Sequence, residues 1–427
     1  MKVLVVGSGG REHAITRALA ASDVVKEIHA AVSNRNPGIV ELADSVRELD
    51  TNSPEEVVAY AKETDVGYAV VGPEAPLAEG VVDALEEAGV YGFGPKQADA
   101  RIETDKAWAR RFMDENGVDG TPEFAVFESA DAAAEYIVEY NGDVAVKPHG
   151  LTGGKGVRVT GDQLTKEEAQ DYVRESDWDE WVVEERLVGE EFTLQAFVAD
   201  GELRPSPAVQ DHKRAYEGDE GPNTGGMGSY TDAGRLLPFM DEGDYEDALE
   251  IMRQVVDVLP EYRGVLYGQF MLTAKGPKVV EFNARFGDPE AMNVLPLLET
   301  DFGKLLRGAS EGDMPGVNFA ERATVCKYAV PDGYPTNPEA GAEITLDIDE
   351  GDEDTLVFYA SVDARDGKLY TTTSRSVAVV GLGDDIPTAE ERAEEALSDL
   401  GDGLRVRHDI GKPEVVKKRI DHMEELR

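Results

Sequence analysis

The chain has one cysteine, Cys326, among 427 residues. A single thiol forms no intramolecular disulfide and no cysteine-rich zinc site. In "ATVCKYAV" it reads as a small buried apolar residue. Long apolar runs are also missing. None approaches the roughly 18 residues a membrane-spanning helix needs. The run that opens "MKVLVVGSGG" is too short for a secretory signal. The expectation is a cytoplasmic protein that does not enter a membrane. Positive charge is scarce. Lys plus Arg total 42 against 87 Asp plus Glu, so the formal charge is 42 − 87 = −45. Such a surface repels nucleic acid and anionic lipid. It also repels anionic substrates unless positive charge is built in locally. The acids form no tail; they recur along the chain, as in "ALEEAG" and "TAEERAEEALSDLGDG". With 41% hydrophobic residues in regular periodicity, the chain folds rather than remaining disordered.

What is present is alternation. In the first hundred residues, strands at 2–7, 27–33 and 67–73 alternate with helices at 11–22, 53–64 and 77–89. Ser53 caps the second helix, with Glu56 completing a capping box. Strand and helix in turn argue a doubly wound parallel sheet. A helix is expected over 104–117, then a mixed α+β segment with a strand at 191–207. A hairpin over 264–286 turns at "AKGP". The last block, from about 325, reads as a small α/β unit with a long strand in "LYTTTSRSVAVVGLG" and a capped helix from Thr388. A chain of 427 residues exceeds one compact core, so roughly two to four domains are expected.

Three glycine-rich stretches carry the chemistry. "VLVVGSGGREHA" follows a strand and opens a helix, but Glu12 stands where a dinucleotide fingerprint needs its third glycine. The second strand ends "AAVSN", without the acid that binds a ribose. Both argue against a nicotinamide dehydrogenase, which stays as a rival reading, while free N–H groups at a helix start still suit an anion. The plain alternative is a tight turn. "KPHGLTGGKGV" (147–157) is basic and glycine-rich in an acidic chain, and its spacing is not that of a Walker loop. It suits a polyphosphate held by backbone N–H groups and Lys147; the plain alternative is an exposed hairpin. "QDHKRAYEGDEGPNTGGMGSY" (210–230) gathers Asp211, Lys213 and Arg214 with a further glycine loop. Charged loops are usually just solvated, and His212 reads as structural. In "VVEFNARFGDPE" (279–290), strand period puts Glu281, Asn283 and Arg285 on one face and Phe282, Ala284 and Phe286 on the other. A carboxylate, an amide oxygen and a guanidinium in line suit a hard cation with a phosphate. Gln269 is expected about one register step from Glu281 across the hairpin.

Together these segments resemble the ATP-grasp fold. With "VVGPEAPLAEGVVD", "FGPKQADARIETDKAWARRFM", "GPNTGGMGSY" and the terminal "HDIG", the chain resembles the phosphoribosylamine–glycine ligase family from end to end. The resemblance implies an N-terminal Rossmann-like domain (1–102), an ATP-grasp domain (103–320) whose lid spans about 121–190, and a C-terminal domain (325–427). It implies that Lys106 and Lys147 bind ATP phosphates and that Gly153, Gly154, Lys155 and Gly156 close over them. Glu184, Glu185, Leu187 and Glu191 would hold the nucleoside. Gln269, Glu281 and Asn283 would hold Mg2+ or Mn2+. Substrate would meet Gly9, Gly10, Asp211, Lys213, Asn223, Thr224, Gly225, Gly226, Arg285, Gly287 and Asp288, with Arg285 and Lys147 as catalytic cations. The implied reaction joins glycine to 5-phosphoribosylamine, with ATP giving ADP and phosphate through glycyl phosphate, in purine biosynthesis. The implied protein is a monomer, with a dimer as the alternative. The family usually has aspartate in place of His149 and alanines in place of Thr152 and Gly153, and the segments at 326–338 and "TTTSRSVAVV" also depart from its commonest form. The evenly acidic composition resembles proteins of salt-loving microbes. The other rival readings are another ATP-grasp ligase or carboxylase of purine metabolism and a regulatory protein that has lost catalysis. Loss of Glu281, Asn283 or Lys147 would mark the latter; all three are present.

Overall fold

The computed structural model describes residues 1–148, 156–346, 352–398 and 400–427. The N-terminal part is a five-stranded parallel sheet. Its spatial order is Ser45–Glu48, Glu27–Val32, Lys2–Val6, Tyr68–Val71, Tyr91–Phe93. The strand order reverses beside Lys2–Val6, so the crevice beyond its C-terminal end is the natural ligand side. That end carries Gly7–Gly10, and the neighbouring strand ends at Gly72 and Glu74.

The expected helices form with altered bounds. The helix expected over 77–89 is broken into Glu74–Ala78 and Val81–Glu87 by Gly80, whose φ of +78° is left-handed. The one expected over 104–117 starts at Lys106 and follows a separate helix, Gln97–Thr104; Asp105 breaks the path and caps the second. Ser53 caps its helix as expected, but the capping box is half made, because the Glu56 carboxylate accepts from the Asp50 N–H instead. The helix expected from Thr388 starts at Ile386 under an Asp385 cap. The strand expected at 191–207 is a hairpin, Glu190–Ala199 and Glu202–Pro205. "LYTTTSRSVAVVGLG" holds two separate strands, Lys368–Thr371 and Val377–Gly383.

Two antiparallel sheets build the centre. One runs Phe124–Phe127, Trp181–Glu185, Val144–Pro148, Arg158–Val159 and packs on helices Ala130–Glu139 and Lys166–Glu175 around its own core of Ile137, Val146, Val173 and Trp181. The other runs Glu202–Pro205, Glu190–Ala199, Gly264–Thr273, Gly276–Asn283. A further sheet joins the centre to the C-terminal block: Gly228–Thr231 pairs with Ala323–Pro331, which pairs with Val377–Gly383. Cys326 is buried there, as expected. The chain ends on helix Pro413–Leu426. No helix among the described residues is long and apolar enough to cross a membrane.

Candidate active site

The hairpin of the second central sheet sets the site. Gln269 lies directly opposite Glu281, but Phe270 lies opposite Val279, so Val280 is an extra residue in its strand. This bulge frees the Val280 carbonyl from the ladder and turns it toward the other lobe. It accepts from Lys147 Nζ at 3.0 Å and Arg110 Nη2 at 2.7 Å. Beyond the strand's end at Asn283 the alternation continues: Phe282, Ala284 and Phe286 are buried, while Glu281 and Arg285 are half-buried.

The residues opposite close a cleft of about 200 Å³. Its walls include Glu74, Glu103, Lys106, Asp211, Lys213, Asn223, Thr224, Gly225, Glu281, Asn283, Arg285 and Asp288. A narrower recess of about 30 Å³ adjoins it, sharing Glu103, Lys106 and Glu281. The recess has apolar walls (Ile102, Ala109, Met113, Phe282) and a charged floor of Arg110, Lys147 and Glu184. A larger depression of about 560 Å³ lies along Ala14–Ser22 and Leu295–Phe302 and contains none of these groups.

Glu184 organises the recess. Its carboxylate takes Arg110 at 2.6 and 3.0 Å and Lys147 at 2.8 Å, all three side chains being buried. Burial pushes the Glu184 carboxyl up, but the two cations outweigh it and hold it below its usual range. Burial lowers Lys147, with Glu184 opposing and Arg110 adding to the fall. Lys106, at the start of its helix, is likewise lowered by burial, with Glu281 and Glu103 opposing. Glu185 faces elsewhere and accepts the Glu123 N–H; Leu187 is half-buried just past the strand.

The cleft holds a second set of paired charges. Arg285 contacts Glu103 at 2.8 Å and Glu74 at 3.5 Å. Glu103 also accepts the Ala284 N–H, and burial pushes it up to about 7 against the pull of Arg285. Asp211 is buried with Oδ1 unpartnered; burial pushes it up to about 7, with Lys213, 3.7 Å away, opposing. Lys213 also lies 3.9 Å from Glu191, which accepts from Gln269 Nε2 at 2.7 Å.

Gln269, Glu281 and Asn283 offer one carboxylate and two amide oxygens. The bond from Gln269 Nε2 to Glu191 turns Gln269 Oε1 away, and that oxygen is buried and unpartnered. Asn283 Oδ1 accepts from Arg285 at 3.3 Å. Among the described residues no cluster of three or more His, Cys, Asp or Glu has the makings of a metal site. One carboxylate with amide oxygens fits a hard cation that keeps substrate phosphates as ligands.

This geometry meets a consistent set of relatives. The phosphoribosylglycinamide synthetase models match in order: the N domain at 1–103, the ATP-grasp (A) domain at 104–291 and the C domain at 324–413. The chain belongs to the phosphoribosylglycinamide synthetase family. A phosphoribosylamine–glycine ligase of Methanosarcina acetivorans is 54% identical, covering 100% of this chain and 98% of that protein. One from Methanopyrus kandleri is 50% identical over 100% and 99%. The crystal structure of the Thermotoga maritima phosphoribosylamine–glycine ligase superposes with a TM-score of 0.81 at 29% identity, covering 96% and 100%. Membership carries with it use of ATP and a divalent metal. An ADP complex of N5-carboxyaminoimidazole ribonucleotide synthetase, 15% identical with a TM-score of 0.67, shares the fold.

The glycines of these loops fall into different roles. The Gly9 N–H is used internally, donating to Glu12 Oε2 at 2.6 Å, so Glu12 fills the space a dinucleotide fingerprint leaves open. A Cβ on Gly10 would meet the Tyr328 hydroxyl and one on Gly226 would meet Pro289, so both glycines serve close packing. Gly287 donates to Gln195 Oε1. Asp288 contacts Tyr328 and Arg375. Gly156 is placed against Tyr172 through its carbonyl. Gly153, Gly154 and Lys155, with His149 and Thr152, lie outside the described residues. Sequence reasoning missed Arg110, Glu103, Glu74, Tyr267, Glu290 and Arg375. Arg110 and Glu103 sit inside quoted segments, where only helix periodicity hinted at an inward charge. Arg375, which bonds the carbonyls of Gly225, Gly226 and Asp288, carried no signal.

Proposed function

We propose that this chain is the ATP-dependent ligase that joins glycine to 5-phosphoribosylamine, forming glycinamide ribonucleotide, ADP and phosphate in purine biosynthesis. One observation carries the reading. Full-length relatives of that name match at about half identity, and this chain keeps a cleft in which Lys106, Lys147, Glu281, Asn283 and Arg285 converge.

In this reading adenine lies beside Glu184 and the backbone of Leu187, with Glu191 toward the ribose. Lys106 and Lys147 hold the phosphates. Gln269, Glu281 and Asn283 would hold Mg2+ or Mn2+, which would offset the negative charge of the phosphates. Glycine's carboxylate oxygen attacks the γ-phosphorus and the β–γ bridging bond breaks, releasing ADP. The sugar amine then attacks the acyl carbon of glycyl phosphate. The carbon–oxygen bond to phosphate breaks, and the amine loses a proton. In this reading Asp211 and Lys213 bind substrate beside the reacting groups. Arg285 steadies charge on the transferring group. Most of the rate then comes from positioning and electrostatics. In this reading the location is cytoplasmic and the protein a monomer, with a dimer as the alternative.

The test is ADP release followed with each substrate omitted in turn. Release that needs both glycine and 5-phosphoribosylamine supports the reading. Steady-state release that continues without the amine beyond one equivalent per enzyme, or that needs bicarbonate instead, overturns it.

A further inference from the structure

The terminal "RVRHDIG" (405–411) does not line the cleft, yet its side chains converge on one element that does. That element is the hairpin Arg214–Tyr216 and Glu220–Asn223. One foot follows Lys213 and the other ends at Asn223, and the Thr224 N–H and hydroxyl both bond the Lys213 carbonyl. The hairpin has almost no core of its own: Ala215 is buried, while Tyr216, Glu217, Gly218, Glu220, Gly221 and Pro222 are exposed. Packing therefore does not set its direction.

Charge does. Arg407, fully buried, bonds Asp219 at 2.9 Å, the Arg214 carbonyl at 3.1 Å and Asp409 at 2.6 and 2.9 Å. Asp409 in turn accepts the Gly218 N–H at 2.9 Å. From the last helix, Arg419 grips Asp219 and also reaches Glu190 at 3.3 Å, next to Glu191. A buried guanidinium is costly unless paired, so this convergence is a built arrangement. The ion pair from the hairpin to the other lobe, Arg214 with Asp162 at 2.7 Å, is exposed and correspondingly weak.

We infer that Arg407 and Arg419, acting through Asp219, are positioning residues that hold the Lys213 and Asn223–Gly225 walls of the cleft against substrate. This rests on the ligase reading of the cleft. Lys147 and Glu184 stand on the facing sheet and do not touch the clamp. Loosening it should therefore weaken binding of glycine and 5-phosphoribosylamine while sparing ATP.

The test uses the full-length protein with Asp219→Asn, which keeps the side chain's shape, alongside Arg419→Gln and the double variant. Amide hydrogen exchange over 214–226 should quicken in each while that over 124–148 stays unchanged. In Asp219→Asn, which leaves Glu190 and Glu191 untouched, KM for glycine and the amine should rise about ten- to a hundredfold with KM for ATP nearly constant. The double variant should add little to either single one, since the two residues act as a unit. Unchanged exchange over 214–226 overturns the clamp. So does a uniform rise in all three KM values that follows a fall in Tm, since that marks a merely structural role. If the unaltered enzyme releases no ADP on glycine and amine, the ligase reading fails, and the exchange result still decides the clamp.

Discussion

Replacing Glu184 by Gln tests the reading of the recess. The change keeps the side chain's shape and removes the one anion between Arg110 and Lys147. The three side chains are 4%, 5% and 8% exposed respectively, so water cannot replace the lost charge. Removing one partner of a buried ion pair costs about 3–5 kcal/mol, because the other charge stays buried and uncompensated. In a lobe of this size that is a fall in Tm of roughly 10 °C. Lys147 is the second readout. Burial and Arg110 both lower its pKa, and Glu184 is first among the groups that raise it. Without Glu184 the lysine's pKa falls further, so a growing neutral fraction appears as pH rises. A neutral amine holds phosphate poorly, so KM for ATP in the variant should climb as pH rises, more steeply than in the unaltered enzyme. Thermal melts and ATP titrations at fixed salt measure both. A variant with an unchanged Tm and the unaltered enzyme's pH profile would refute the reasoning.

The other expectations are briefer. Glu281→Gln should leave the fold intact and cut kcat by about a hundredfold or more at saturating Mg2+, since an anionic metal ligand is lost; near-normal turnover would contradict the donor set. Tm should rise with KCl, because repulsion among 87 acids is screened within about 3 Å in 1 M salt but extends over about 30 Å at 0.01 M; a flat or falling curve removes the salt-adapted reading. His13 is buried, its Nδ1 accepts the Tyr359 N–H, and burial lowers its pKa from 6.5 to about 4. The unfolded chain binds a proton below 6.5 that the folded one refuses until about 4, so stability present above 6.5 is lost as pH falls across that window. The shift is worth about 3 kcal/mol, and His13→Asn should flatten that part of the acid slope in denaturant titrations.

How much of this was legible in the sequence differs by residue. Strand and helix alternation foretold the parallel sheet, since both periods leave apolar signatures in a single strand of text. The hairpin pattern placed Gln269 against Glu281, and the structure sets them directly opposite. Periodicity could not reveal the extra residue at Val280, because a bulge alters which carbonyl is free without altering which residues are apolar. Nor could it reveal that Arg110 reaches Glu184 across 74 positions of chain. Buried charges look like surface charges in sequence, and only the fold tells them apart. The same holds for Arg407, fully buried in a stretch that reads as polar. Gly80 was visible, but a left-handed glycine breaks a helix only where the next segment packs in a new direction.

The most direct test of the chemistry follows one oxygen. If ATP activates glycine as an acyl phosphate, glycine labelled with ¹⁸O in its carboxylate must pass one labelled oxygen to inorganic phosphate in each turnover, detectable by ³¹P NMR or mass spectrometry. The account predicts label in phosphate, with transfer falling alongside turnover in Lys147→Ala. Label retained only in glycinamide ribonucleotide, or label found in AMP, would contradict it.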